Sequence, residues 1–156
     1  MRISKNFVLS ELIRSNTAKR LGISNEPKEE HLKNLQRIIT SIVQPMRDSL
    51  GPIRISSGYR SPQLNRAIGG SANKSQHCKG EALDLQFWKE GKMCNKEIYD
   101  WIIESGLDFD QMINEFDFSW VHLSLKEKKN RKQVLIAYKD EDNDTKYKYA
   151  PDIIIL

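Results

Sequence analysis

Three side chains of this 156-residue chain, His77, Asp84 and His122, have the types that hold a catalytic metal. The first two fall in Ser75-Gln76-His77-Cys78-Lys79-Gly80-Glu81-Ala82-Leu83-Asp84, the third in Trp120-Val121-His122-Leu123-Ser124. Two imidazoles and one carboxylate supply three of the four bonds of a tetrahedral zinc. A fourth position left open to water is what separates a catalytic zinc site from a closed structural one. The trio therefore points to Zn2+ and a hydrolase. There is no His-Glu-x-x-His segment, so this is not the helical zinc-protease motif. Cys78 adjoins His77 and is a further candidate ligand, although a backbone that aims His77 inward usually aims its neighbour elsewhere.

These residues need elements to position them. In 81–86, Leu83 and Leu85 share one face of a predicted strand, and Asp84 shares the other with Ala82 and Gln86. In 120–125, Val121, Leu123 and Leu125 form the apolar face and leave Trp120, His122 and Ser124 opposite. A buried strand carboxylate is costly unless a positive partner meets it, and zinc is the simplest such partner. A third strand, 110–116, puts Gln111, Ile113 and Glu115 on one face. Gln133–Lys139 and Thr145–Tyr149 read as a hairpin around an acidic turn, Asp140-Glu141-Asp142-Asn143-Asp144. That turn lacks the EF-hand spacing and its closing Glu, and is read as solvated.

The N-terminal half reads as helices. Residues 10–13 form a short amphipathic start. Asn25 and Pro27 open a long helix with Glu29 and Glu30 in its first turn, favourable against the helix dipole. Leu32, Leu35, Ile39, Ile42, Val43 and Met46 follow as one buried stripe, and Pro45 should kink the helix near Ser41. His31, off that stripe, is read as a surface residue. Gly51-Pro52 turns the chain into a short strand, 53–56, and a loop, 57–60. Ser61 then caps a helix with Pro62 at its first position, ending at Gly69-Gly70. Residues Asn95–Ser105 form a helix with Ile98, Trp101 and Ile102 inward, stopped at Gly106. The expected architecture is α+β: N-terminal helices packed on a mostly antiparallel sheet that carries the zinc site, as a single domain over 1–156.

Bulk properties bound the function. No apolar run approaches the roughly 20 residues needed to span a bilayer, and the start of the chain lacks the apolar core of a secretory signal. Synthesis in the cytoplasm is expected, with action on an outside substrate only after release. The net charge of +4 suits an anionic partner such as a cell-wall polymer. The basic residues are spread out, however, and the one dense run, 126–132, reads as a solvated turn. No basic face with interleaved aromatics or known module indicates nucleic-acid binding. Two cysteines, Cys78 and Cys94, make no disulfide framework in a chain of this size. A monomer is expected.

The residues around the trio carry a family resemblance. Phe7-Val8-Leu9-Ser10-Glu11-Leu12, Gln44-Pro45-Met46-Arg47-Asp48 and Ser56-Ser57-Gly58-Tyr59-Arg60-Ser61-Pro62-Gln63-Leu64-Asn65 begin it. Gly69-Gly70, the Ser-x-His-x-x-Gly-x-Ala-x-Asp segment and Trp-x-His complete it. Together, over roughly 7–125, they resemble the D-alanyl-D-alanine carboxypeptidase-like zinc metallopeptidases. That superfamily also contains lysostaphin-type endopeptidases and the hedgehog fold.

The resemblance implies roles. His77, Asp84 and His122 match the family's zinc ligands. Arg60 matches an arginine that contacts substrate and stabilises the oxyanion, a task suited to a permanently charged fork of donors. The general base in the dipeptidase branch is a Glu three residues before the second His, where this chain has Ser119. Other branches carry it at the end of the preceding strand, which selects Glu115, with Asp117 as the alternative. Ser75 and Ser124 are candidates to orient the histidines, Ser75 also to touch substrate. Trp120 either walls the cleft as a substrate contact or packs in the core.

The implied substrate is a peptidoglycan stem peptide cut next to D-Ala. Alternatives are an L,D-endopeptidase on the same polymer, or a non-catalytic zinc-fold protein of a phage or wall assembly, which Ser119 favours. The C-terminal tail, Ile153-Ile154-Ile155-Leu156, is read as a last edge strand or as cover for a partner surface.

Overall fold

The computed structural model describes residues 1–70 and 74–150. The tail 153–156 lies outside the described residues. Helices α1 (Leu9–Ile13), α2 (Asn16–Leu21) and α3 (Glu29–Ile38) come first. A π-helical turn (Ile39–Val43), α4 (Gln44–Leu50), strand β1 (Ile53–Ser57) and α5 (Pro62–Ala67) follow. A 3-10 turn (Gln76–Lys79) leads into β2 (Ala82–Lys89), the two-residue β3 (Lys92–Met93) and α6 (Asn95–Ser105). The chain ends in β4 (Gln111–Glu115), β5 (Trp120–Ser124), β6 (Gln133–Lys139) and β7 (Thr145–Tyr149).

The strands form one sheet in the order β1-β2-β5-β4-β6-β7, with β3 paired to β2. Every neighbouring pair is antiparallel except β4 and β6, which run parallel. The α+β, mostly antiparallel expectation holds. One face of the sheet packs on the helices: Leu83, Leu85, Met112, Val121 and Leu123 join Leu35, Ile38, Ile39, Ile42, Met46, Ile98 and Ile102 in the core. Alternation along each strand then turns Asp84, His122, Ile113 and Glu115 to the other face.

The buried stripe from Leu35 to Met46 is present, but its helix is not one kinked rod. The Gln44 N–H bonds back to the Ile39 carbonyl, five residues away. This wider turn accommodates Pro45, which has no N–H to give and whose ring would crowd a carbonyl in a regular α-helix. The helix also starts later than expected. Lys28 is its N-cap and Glu29 its first residue. Asn25 serves elsewhere, donating to the Ile13 and Tyr59 carbonyls and accepting from the Ser61 N–H. It ties α1 to the loop after β1.

His31 is not a surface residue. Its side chain is 14% exposed, it stacks on Tyr59 at 5.2 Å, and Nδ1 accepts from the Lys28 N–H. The 3-10 turn also approaches the His31 backbone closely. A Cβ on Gly80 would lie 2.4 Å from the His31 carbonyl oxygen, and Gly80 is in the left-handed region at φ +74°. No other residue type fits both conditions.

Candidate metal centre and cleft

Asp84 and His122 are register partners on β2 and β5, and Ile113 on β4 partners His122 from the other side. His77 reaches the same point from the 3-10 turn. The Ser75 hydroxyl starts that turn by accepting from the His77 N–H, and Gly80 ends it in the left-handed conformation. His77 Nδ1 lies 2.8 Å from the Gly58 carbonyl oxygen and donates to it, which leaves Nε2 as a lone pair facing the cluster. The carbonyl is held in place because Gly58 packs on α1: a Cβ there would sit 2.2 Å from the Leu12 carbonyl oxygen. Tyr59 then donates its N–H to that same oxygen, and Arg60 donates its N–H to the His77 carbonyl.

His77 Nε2 is 3.4 Å and His122 Nδ1 3.2 Å from Asp84 Oδ1. All three ligand atoms lie within 4.8 Å of one another. Bonds of about 2.0–2.1 Å set at tetrahedral angles place neighbouring zinc ligands roughly 3.3 Å apart. The contacts at Asp84 match that spacing. Charge points the same way. Burial alone would raise the Asp84 carboxyl, but with no metal bound the charge and hydrogen bonds of His77 and His122 in their protonated forms hold it well below the usual carboxylate range, a role that a bound cation takes over. Burial pushes the His77 pKa down, against the pull of Asp84. An ionised carboxylate faced by an imidazole lone pair fits a cation between them, so the donor set suits zinc.

Cys78 is buried and free and does not belong to this cluster; Cys94 is free as well. In the acidic turn after β6, Asp140, Asp142 and Asp144 bring their carboxylates together. Asp142 and Asp144 are exposed, and their N–H groups donate to the Asp140 carboxylate, which shapes the turn.

The other predicted residues surround the cluster. Arg60, Ser75, Glu115, Trp120 and the trio line one cleft of about 840 Å³. Arg60 Nη2 is 3.9 Å from Asp84 Oδ2, and its buried Nε has no hydrogen-bond partner among the described residues. Trp120 is half-buried, edge-on to Phe116 at 5.6 Å, and is the register partner of Glu115. Glu115 is 8% exposed. Burial pushes its carboxyl up to about 7, opposed by His122 and reinforced by Asp84.

Asp117 is exposed in the β4–β5 turn and is not among the cleft residues. Phe116, Asp117 and Phe118 all have positive φ, a costly conformation for non-glycine residues. The turn is pinned by Asn114 accepting from the Phe118 N–H, and by the buried Asn95 donating to the Phe118 and Ser119 carbonyls. Ser124 does not orient His122. Its hydroxyl is occupied by the Gln111 backbone.

Sequence reasoning missed a carboxylate in the wall of the same cleft. Asp110 is fully buried. It accepts from Arg131 Nε, Nη2 and backbone N–H, and from Gln76 Nε2 at 3.0 Å. Lys126 Nζ lies 3.6 Å away. The run 126–132 is therefore not simply a solvated turn: two of its cations converge on Asp110. Burial alone would raise the Asp110 carboxyl, but the Arg131 hydrogen bonds bring it down to about 2. Through Gln76, the residue before His77, Asp110 braces the turn that carries His77. The available signal was an aspartate at a strand start, too common to single out.

A mostly antiparallel sheet thus brings a His-Asp-His cluster, a buried carboxylate and an arginine into one cleft, the set of groups that metal-dependent hydrolysis requires. Residues 5–124 match the family described as Peptidase M15, and the chain belongs to that family. M15 peptidases are zinc-dependent, and His77, Asp84 and His122 form a group able to hold the ion. No curated protein matches the chain. No helix among the described residues is long and apolar enough to cross a membrane.

Proposed function

We propose that the protein is a zinc peptidase that hydrolyses peptidoglycan stem peptides next to D-Ala, as a D,D-carboxypeptidase or endopeptidase. The observation that carries this reading is the sharing of one cleft by the His77-Asp84-His122 cluster, Glu115 and the partly unsatisfied Arg60. His77 Nε2, Asp84 and His122 Nδ1 would hold the zinc. Bound there, zinc supplies a Lewis acid for the scissile carbonyl and makes water a stronger acid near neutral pH. Glu115 takes the proton as water oxygen bonds to the carbonyl carbon, then gives it to the amine as the C–N bond breaks. A carboxyl whose affinity for the proton lies near neutrality suits both halves of that task. Arg60 donates to the oxygen that gains negative charge. Ser75 shapes the His77 turn from the cleft rim, and Trp120 offers a substrate contact.

The protein would act on the wall after release, or as part of a phage particle. A non-catalytic wall binder is the second reading, favoured by Ser119 at the position where the dipeptidase branch has its Glu. Synthetic stem peptides incubated with the zinc-loaded protein test the bond. Release of terminal D-Ala supports the reading. Cleavage on the L-residue side turns it to an L,D-endopeptidase, and intact peptides with stoichiometric zinc turn it to a binder.

A further inference from the structure

The β6–β7 hairpin lies beyond the residues that match the family, 5–124. It nevertheless walls the cleft, contributing Leu135, Thr145 and Tyr147. The register explains how. Glu115 on β4 pairs with Ala137 on β6, and Ala137 pairs with Tyr147 on β7. The three form one row across three strands, spanning about 9–10 Å at the usual strand spacing. The middle residue has only a methyl group, so nothing tall separates the Glu115 carboxylate from the Tyr147 ring. Tyr147 is 55% exposed, a large aromatic side chain left partly in water. Among the described residues its hydroxyl makes no hydrogen bond, whereas the neighbouring Tyr149 hydroxyl is engaged by Gln133. Burial together with Glu115 and Asp84 pushes the Tyr147 phenol up, so it stays a protonated donor.

The strand order gives the cleft two ends. Arg60 follows β1 at one edge of the sheet and Tyr147 sits on β7 at the other, with the metal cluster and Glu115 between them. We propose that Tyr147 is a substrate-positioning residue whose ring and hydroxyl engage the bound peptide at the end of the cleft away from Arg60. This rests on the peptidase reading.

The test uses zinc-loaded full-length protein and a stem peptide that the wild type cleaves. Tyr147→Ala should raise KM roughly tenfold with kcat within about twofold, and Tyr147→Phe should raise KM by about threefold, as expected for losing an aromatic contact and one hydrogen bond. Zinc content and melting temperature, measured on both variants, separate this from misfolding. An unchanged KM in Tyr147→Ala overturns the proposal, as does a fall in kcat at unchanged KM. If the wild type cleaves no peptide, the peptidase reading fails on its own, and co-sedimentation with insoluble peptidoglycan then reads the contact. Weaker retention of Tyr147→Ala supports the proposal, and equal retention overturns it.

Discussion

Asp84 and His122 stand directly opposite each other on adjacent antiparallel strands, and their side chains meet at 3.2 Å on the face turned away from the core. The sheet register alone therefore presets two of the three side chains that could hold the metal. Only His77 depends on a turn, and that turn is braced from three sides, by Gly58, Ser75 and Gln76.

His122→Ala should abolish stoichiometric zinc binding while the chain still folds, because His122 is at the cleft and its strand neighbours Val121 and Leu123 keep the core. Metal analysis and a thermal melt check this. In the wild type, zinc should raise the melting temperature. A ligand at a hundred times its Kd adds about 2.7 kcal/mol, and His122→Ala should lose that gain. A variant that retains one zinc per chain would remove His122 from the site.

Glu115→Gln should keep zinc and lose roughly 10²–10⁴-fold in kcat. The pH dependence has a definite sign. The base must be ionised to accept a proton, so activity falls as pH drops through its pKa, and zinc's charge should draw that limb below about 7. In metal-free protein the raised pKa favours folding below the unfolded carboxyl value. That contribution disappears as pH rises through about 7. Metal-free Glu115→Gln should therefore melt higher than the wild type at pH 8, and the advantage should shrink toward pH 5.

Much of this site was legible because it is written in local patterns. Alternation placed Asp84, His122 and Glu115 on the polar faces of their strands. Ser61-Pro62 and Gly106 marked real helix ends, and the hairpin Gln133–Lys139 with Thr145–Tyr149 was found to the residue. What escaped depends on partners distant in sequence. The ring that covers His31 is Tyr59, and Asn25 is claimed by Ile13, Tyr59 and Ser61 rather than by a helix start. Asp110 gains its meaning only from Gln76 and Arg131. The parallel β4–β6 pair requires the chain to pass beyond β5 and return on the far side of β4, which no strand pattern announces. The α2 helix and the π-turn were missed because one is a single short stretch and the other looks like helix to a periodicity argument.

Gln76→Leu should weaken zinc binding by roughly 10- to 100-fold, the range seen when a residue that orients a metal ligand is lost. Chelator competition measures this without reference to catalysis. Asp110→Ala should have the same effect and also cost about 2 kcal/mol of stability, since it removes the buried acceptor of several charge-assisted hydrogen bonds. The depressed Asp110 carboxyl contributes stability above the unfolded carboxyl pKa. That contribution is lost as pH falls toward about 2. Equal zinc affinity in Gln76→Leu and wild type would leave the brace without a function.

Gly58→Ala should destabilise the fold by about 1–3 kcal/mol, because the added methyl collides with the Leu12 backbone. The loop must move, and the carbonyl that fixes the His77 tautomer moves with it. Zinc affinity should fall together with the melting temperature. A stable Gly58→Ala protein with normal zinc affinity would show that the loop yields without disturbing His77.

The central claim is that this cleft hydrolyses peptidoglycan peptides with a zinc held by His77, Asp84 and His122. Digestion of purified peptidoglycan with and without a chelator, followed by mass spectrometry of the soluble products, tests it most directly. Release of terminal D-Ala or a defined stem-peptide fragment, abolished by the chelator and restored by zinc, is the predicted result. A protein that carries zinc yet releases nothing from any wall type would contradict the claim and leave a binder.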